Sequence, residues 1–295
     1  MKIEKLIFNY LNYLKITALS NQYYLYEKKE LSDFLVFSIN NNIIDSNEID
    51  KELILKYYSY LKNKLIPNGN KTCNKKVASL RRACAYNELD VPGFVKLKKL
   101  KEEEKHFLFL TDEQLKKLLL YIKKLRTNCP QNLNEKLVLL ILIDTGVRAS
   151  ELLDIRVSNV NIKDRSIKLK HTKAHRERYV FFSEYTKRIL KLYLEMIDKN
   201  QDYLFFNFRD NKKLSYKSLT TIIHNAEEKT DLKFSAHVLR HSNATMLANA
   251  GIDLNSLKNI LGHKNIKTTE IYIHKSTKRL KRNYDKAIQK SILKQ

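Results

Sequence analysis

The side chains of this sequence that are best suited to phosphate chemistry lie in three short stretches. They are Arg148, Glu151, His237, Arg240, His263 and Tyr272. A guanidinium makes permanently charged, bidentate contacts to phosphate oxygens, and an imidazole titrates near neutral pH. The combination indicates a site that is directed at a phosphate group.

The elements that would position these residues are predicted to be helices, because only five glycines and three prolines interrupt the chain. Arg148 is predicted at a helix start. His237 and Arg240 are three residues apart, so they share one face of a helix. A short helix over 253–261 ends at a glycine, and Tyr272 lies in the first turn of the segment that follows.

Other kinds of chemistry have little support in the sequence. It contains no recognisable metal motif, no glycine-rich phosphate loop and no zinc spacing, and its three cysteines do not form a ligand pattern. We therefore expect no cofactor. The longest aliphatic run, Leu137–Ile143, is far shorter than the ~20 residues that span a bilayer. We expect a cytoplasmic globular protein without a membrane partner.

Apolar residues at helical spacing predict four helices in the first 90 residues. Ser20 is a candidate N-cap of the second helix, and the fourth runs from about 71 to 87. The organisation that we predict is a first helical domain over 1–95, a charged linker over 96–110, a second domain over 111–274 and a basic C-terminal tail helix over 275–295.

The second domain is predicted to be mainly helical with a small hairpin. Thr111 begins a capping-box pattern before a helix. The stretch Leu133–Ile143 is apolar on nearly every side, so it should form a central helix. Two short segments that begin at Ser166 and Arg178 carry β-formers and predict a β-hairpin.

Net charge points to a polyanionic partner. The chain carries a formal net charge of +24, which favours binding to nucleic acid. Residues 1–60 are close to neutral, so the positive surface begins after them. Candidate phosphate contacts on the fourth helix are Lys71, Lys75, Lys76, Arg81 and Arg82. The alternative is that they form an ordinary solvated helix face.

The three stretches that contain the candidate phosphate-binding residues together resemble the sequence boxes of the tyrosine recombinase (phage integrase) family. Thr145-Gly-Val-Arg-Ala-Ser-Glu-Leu resembles its first arginine box, and His237-Val-Leu-Arg-His-Ser-Asn-Ala-Thr-Met-Leu resembles its second. Leu261-Gly-His-Lys-Asn-Ile-Lys-Thr-Thr-Glu-Ile-Tyr resembles the box of its nucleophile. The resemblance covers roughly residues 110–290. It implies a mainly α fold, with a four-helix (SAM-like) core-binding domain over 1–95 that clamps DNA and a helical catalytic domain over 111–274 that contains a small β-sheet. It also implies that the tail helix docks on a neighbouring protomer; the alternative is that the tail packs on its own domain.

The resemblance also implies catalytic roles for individual residues. Arg148 and Arg240 would bind the non-bridging oxygens of a scissile phosphate. Tyr272 would attack phosphorus and form a 3′-phosphotyrosine, while His237 would manage a proton and His263 would hydrogen-bond the phosphate.

Two further roles are implied by position in the family pattern. Lys173, in the turn of the hairpin, would protonate the leaving 5′-oxygen, with Lys170 as the alternative. The glycines that often flank this lysine in the family are replaced here by Thr172 and Ala174. Glu151 would support the site, or else would be an ordinary surface acid of its helix.

The activity implied is site-specific recombination of double-stranded DNA with inverted half-sites, by a tetramer that needs neither metal nor ATP. The size resembles that of Xer recombinases, which resolve chromosome or plasmid dimers, and a second recombinase or a DNA translocase could act as partner. The alternatives are a minimal integrase or invertase of a mobile element, a non-catalytic architectural DNA-binding relative, and a type IB topoisomerase-like relaxase.

Overall fold

A computed structural model gives the structure of the chain for residues 1–17, 20–64, 68–91, 97–102, 108–170, 177–263, 265 and 269. The chain divides into two compact units, Met1–Lys105 and His106–Gln295. Each unit has a hydrophobic core of its own, and both are described separately below.

The first unit is built from four α-helices, as predicted. They are α1 (Ile3–Thr17), α2 (Asn21–Asn40), α3 (Lys51–Lys62) and α4 (Asn70–Tyr86). Ser20 caps α2 by accepting a hydrogen bond from the backbone N–H of Tyr23, which confirms the predicted cap. Phe34 and Tyr57 are fully buried between the helices, and their rings meet edge to face.

The structure corrects the expected position of one basic residue on α4. Lys76 is only 5% exposed, and its ammonium group pairs with Glu30 at 2.8 Å and Asp33 at 2.6 Å. Lys76 therefore belongs to the interior of the unit rather than to a phosphate-facing surface. Arg82 is ion-paired with the fully buried Glu27. Sequence periodicity could not reveal these pairs, because the carboxylates come from α2.

Part of the charged stretch that was predicted as a linker packs on the first unit. Leu97 and Leu100 lie against its core. The side chain of Asn74 donates a hydrogen bond to the carbonyl of Leu100 and accepts one from its N–H, each at 2.9 Å. These contacts hold residues 97–102 against α4.

The second unit has seven α-helices among the residues described. They are α5 (Asp112–Lys124), α6 (Pro130–Thr145), α7 (Ala149–Leu153), α8 (Glu184–Met196), α9 (Tyr216–Thr230), α10 (Ala236–Ala250) and α11 (Leu254–Leu261). Thr111 and Gln114 form the predicted capping box of α5. Helix α6 is buried along almost its whole length and is the centre of the core, as its all-round apolar sequence predicted.

A three-stranded antiparallel sheet completes the second unit. Its strands, in spatial order, are β1 (Val160–Asn161), β2 (Ser166–Leu169) and β3 (Arg178–Phe181). Leu169 pairs with Arg178, so β2 and β3 form the predicted hairpin. The turn between them, which includes Lys173, lies outside the described residues.

None of the helices in the described part of the chain is both long and apolar enough to cross a bilayer.

Candidate active site

The C-terminal end of α11 gathers three arginines. The consecutive carbonyls of Ile260, Leu261 and Gly262 accept hydrogen bonds from three guanidiniums. The donors are Arg178 at 2.9 Å, Arg240 at 2.6 Å and Arg148 at 3.4 Å, in that order. The last carbonyls of a helix have no partner within it, and the helix dipole makes this end negative. The terminus of α11 therefore attracts and orients positive side chains.

Gly262 permits this arrangement because its backbone is left-handed, with φ of 66°, and because it lacks a side chain. A Cβ atom at this position would lie 2.9 Å from the guanidinium carbon of Arg178. The prediction that a glycine ends this helix is confirmed.

Arg148 lies directly before α7, as the sequence predicted, and its side chain is 31% exposed. Its Nη1 donates to Glu151 Oε1 and its backbone N–H to Glu151 Oε2, both at 2.8 Å. The guanidinium is thus oriented on one side and still reachable from solvent, which suits a group that binds an incoming anion.

Arg240, on α10, is buried and is held from two directions. Besides the carbonyl of Leu261, it donates at 2.8 Å to the carbonyl of Gly146. Gly146 ends α6 in a left-handed conformation, and a Cβ there would lie 2.7 Å from Asn243 Oδ1. Asn243, also on α10, donates to the carbonyls of Ile143 and Asp144. The turn that leads into Arg148 is therefore attached to α10.

His237 lies on the same helix and meets His241, with 2.9 Å between the two Nε2 atoms. At this distance one ring must donate and the other accept. Burial, and then the charges of His237 and Arg240, lower the pKa of His241 to about 4. His241 is therefore a neutral partner for His237 at pH 7.

His263 follows Gly262 and contacts Thr269, with 2.9 Å between Nδ1 and Oγ1. Burial, and then the positive charges of Arg240 and Arg148, lower the pKa of His263 to about 4. At neutral pH its imidazole is uncharged, so it offers one N–H donor rather than a positive charge.

Glu151 is 4% exposed, so it is not an ordinary surface acid. Burial alone would raise its pKa. The hydrogen bonds and charge of Arg178, and then those of Arg148, more than offset burial and hold the pKa at about 2. Glu151 is therefore a permanent carboxylate at the centre of the arginine cluster.

Arg178 was not among the residues that the sequence singled out. It contacts Glu151 through two guanidinium nitrogens, at 2.9 and 2.7 Å, and is buried. The feature of the sequence that could have identified Arg178 is the alternation of inward- and outward-facing residues along β3. Arg178 shares the inward-facing positions of β3 with Val180, and a charged residue on the buried face of a strand needs a partner.

The structure brings together Arg148, Glu151, Arg240 and His263, with His237 one helical turn before Arg240. Lys173 and Tyr272 lie outside the described residues. The candidate DNA contacts Lys71, Lys75, Arg81 and Arg82 belong to the other unit. Among the positions that the structure covers, no three His, Cys, Asp or Glu side chains are grouped as metal ligands would be.

Comparison with known proteins identifies the family. The sequence model of the phage integrase family matches residues 108–279. The tyrosine recombinase XerA of Saccharolobus solfataricus is 35% identical over 170 residues, which is 58% of this chain and 55% of that protein. The chain thus spans little more than half the length of this relative.

Two other matches extend over nearly the whole chain. A probable integrase/recombinase of Acholeplasma phage L2 is 25% identical over 289 residues, 97% of this chain and 98% of that protein. The solved structure of the Tn1549 transposon integrase in complex with circular intermediate DNA has a TM-score of 0.75 at 17% identity, covering 97% of this chain and 100% of the other. This likeness shows the fold. Because the family match covers more than half of the sequence, the chain belongs to the phage integrase family.

Proposed function

We propose that the protein is a site-specific DNA recombinase that cuts and rejoins duplex DNA through a 3′-phosphotyrosine intermediate. The observation that carries the proposal is the convergence of Arg148, Arg240 and His263 at the end of α11, around the ionised Glu151. Such a cluster is built to receive an anion with more than one oxygen.

The two arginines bind the non-bridging oxygens of the scissile phosphate. Negative charge builds on these oxygens as phosphorus becomes pentacoordinate, so preorganised cations stabilise the transition state more than the ground state. His263 adds a neutral N–H donor to the same group. Because backbone carbonyls already hold Arg148 and Arg240, little reorganisation is needed when DNA binds.

Tyr272 is the proposed nucleophile. Its phenolic oxygen bonds to phosphorus, the bond from phosphorus to the 5′-oxygen breaks, and the 3′ end stays attached to the tyrosine. His237 accepts the phenolic proton, and Lys173 gives a proton to the departing 5′-oxygen. Attack by a 5′-hydroxyl on the phosphotyrosine reverses each step, so one phosphodiester replaces another without metal or ATP.

The proposal includes assembly on DNA. Each protomer binds one of two inverted half-sites of a duplex, and four protomers hold two such sites. The basic tail, residues 275–295, lies outside the described residues. In this proposal it docks on a neighbouring protomer and couples the active sites. A second recombinase or a DNA translocase is a possible activator, and the reaction takes place in the cytoplasm.

The biological role that we propose is resolution of chromosome or plasmid dimers. Its support is the 35% identity to a protein named XerA. Integration or inversion of a mobile element is the second candidate, supported by the match to a phage integrase/recombinase over nearly its full length. A non-catalytic architectural role is the third possibility that the experiment below tests.

The first experiment is a cleavage assay in EDTA. Duplexes that the protein binds tightly are selected from a random library, nicked to trap covalent intermediates, and incubated with wild-type protein or with Tyr272→Phe. We expect a covalent protein–DNA band on a denaturing gel from the wild type only.

Each other outcome contradicts part of the proposal. A band that persists in Tyr272→Phe assigns the nucleophile to another residue. Absence of a band from wild-type protein on duplexes that it binds, with and without cell extract as a source of activator, would favour the architectural role.

A further inference from the structure

Arg178 is the one arginine of the cluster to which no role in the reaction has been given. It is the first residue of β3, and its side chain is 8% exposed. Two of its nitrogens hold both oxygens of Glu151, and Nε donates to the carbonyl of Ile260. One side chain thus joins the hairpin strand, the start of α7 and the end of α11.

The carboxylate of Glu151 is shared between two arginines. Oε1 accepts from Arg178 and from Arg148 Nη1, while Oε2 accepts from Arg178 and from the backbone N–H of Arg148. A bidentate guanidinium fixes the plane of a carboxylate, which a single-point donor cannot do. The direction in which Glu151 holds Arg148 is therefore set by Arg178.

The third contact of Arg178 is with the C-terminal end of α11, on the other side of the site. Its bond to the carbonyl of Ile260 immobilises the helix end whose next two carbonyls orient Arg240 and Arg148. Gly262 also lies close to the Arg178 side chain, so close that a Cβ atom there would be 2.9 Å from the guanidinium carbon.

We propose that Arg178 is a positioning residue that orients Arg148, through Glu151, toward a non-bridging oxygen of the scissile phosphate. Its burial keeps it from touching DNA, so it acts only through its neighbours. This inference rests on the proposed recombinase function and deepens it.

The test uses three versions of the trapping duplex. The first carries the natural scissile phosphate. The second carries a methylphosphonate, in which a methyl group replaces one charged oxygen, and the third carries a 5′-bridging phosphorothiolate, in which sulfur replaces the leaving oxygen. A cation that is oriented toward that oxygen stabilises the transition state of the charged phosphodiester. It gives no such stabilisation on the methylphosphonate, which is neutral and lacks that oxygen. Single-turnover cleavage is measured for wild type, Arg178→Met, Arg178→Lys, Arg148→Ala and Arg148→Ala/Arg178→Met, at a temperature at which circular dichroism shows each to be folded.

We expect Arg178→Met to cleave the phosphate about 100-fold more slowly than wild type, the size of effect seen when one oriented donor is lost. On the methylphosphonate its rate should approach that of the wild type. Loss of Arg148 should give the same pattern. The double variant should be no slower than Arg148→Ala alone, since residues that act through one another are not additive.

Arg178→Lys keeps the positive charge but not the bidentate geometry. It should fold even if Arg178→Met does not, and it should retain a cleavage defect that the methylphosphonate removes. This variant therefore tests positioning separately from folding.

Three outcomes would overturn the inference. Equal losses on phosphate and methylphosphonate would indicate a purely structural role. Additive losses in the double variant would indicate independent action. Rescue by a 5′-bridging phosphorothiolate, whose sulfur leaves without a proton, would mean that Arg178 acts through the hairpin and Lys173. If wild-type protein forms no covalent complex on the phosphate duplex, the proposed function itself has failed.

Discussion

Glu151 accepts hydrogen bonds from two guanidiniums and one backbone N–H in a buried setting, and this arrangement ties the stability of the second unit to pH. Its pKa is about 2 in the folded protein, against an ordinary value of 4.5. A carboxyl with a depressed folded pKa stabilises the fold fully above the unfolded value and loses that contribution as the pH falls toward the folded one.

We therefore expect the unfolding free energy of Glu151→Gln to fall furthest below that of wild type at neutral pH. This difference in unfolding free energy should shrink as the pH falls from about 4.5 to about 2. The pKa difference corresponds to roughly 3 kcal/mol of unfolding free energy. Urea unfolding at a series of pH values measures it. The exposed Glu195 gives the control Glu195→Gln, whose unfolding free energy should stay within about 0.5 kcal/mol of the wild-type value. A pH-independent gap between wild type and Glu151→Gln would contradict the assignment.

At the scale of single residues, the sequence indicated types and spacings but could not supply partners. The motifs singled out Arg148, Glu151, Arg240 and His263, and the structure gathers these four. The motifs did not include Arg178, because its role depends on contacts with Glu151 and Ile260, which lie 27 and 82 residues away along the chain. Lys76 was misassigned for the same reason, since helical spacing cannot show that two carboxylates of α2 lie beneath it.

At the scale of elements, adding one methyl group at Gly262 tests whether the reaction depends on the geometry of the C-terminal end of α11. Gly262→Ala forces an alanine into a left-handed conformation, at a cost of about 1–2 kcal/mol, and pushes its Cβ against Arg178. We expect a loss of unfolding free energy together with a loss of covalent-complex formation that resembles that of Arg178→Met.

Gly251→Ala is the matched control. Gly251 also has a positive φ, of 97°, where it ends α10. It lies 11 residues beyond Arg240 on that helix, or about 16 Å. This variant should lose stability and keep cleavage. If Gly262→Ala cleaves as well as Gly251→Ala, the close contact between Gly262 and Arg178 is unimportant for the reaction.

The elements themselves followed closely from local sequence signals. The cap at Ser20, the capping box at Thr111 and the all-apolar α6 were predicted because each depends on neighbours within a few residues. Strand β1 was not predicted, because a two-residue strand is too short for alternation to reveal. The docking of residues 97–102 on α4 depends on Asn74, whose contact with them no local pattern marks.

At the scale of the whole molecule, the excess of positive charge predicts a salt-dependent affinity for DNA. Lys71 and Lys75 are exposed on α4, whereas Lys76 is buried. If the exposed pair contacts phosphates, Lys71→Ala/Lys75→Ala should reduce the slope of log affinity against log salt by about 2 in magnitude. The unfolding free energy should change by less than about 0.5 kcal/mol per site. Fluorescence anisotropy with a labelled duplex at several salt concentrations measures the slope.

Lys76→Met separates surface charge from buried charge on the same helix. It leaves the buried Glu30 without its cation, while Asp33 keeps its ion pair with Lys64, so the first unit should lose about 3 kcal/mol, the low end of the cost of breaking a buried pair. The salt slope of the folded fraction should match that of wild type. An unchanged slope in Lys71→Ala/Lys75→Ala would show that this face does not bind DNA.

The arginines at the end of α11 are held by main-chain oxygens, and this has a consequence for how the protein can diverge. Every amino acid supplies the same carbonyl, so the side chain at Ile260 can be exchanged while its hold on Arg178 is retained. Substitutions along α11 are therefore constrained more by the path of the backbone than by residue identity. Gly262 is the position that tolerates the least change. Descendants with little sequence in common could inherit the same arginine geometry.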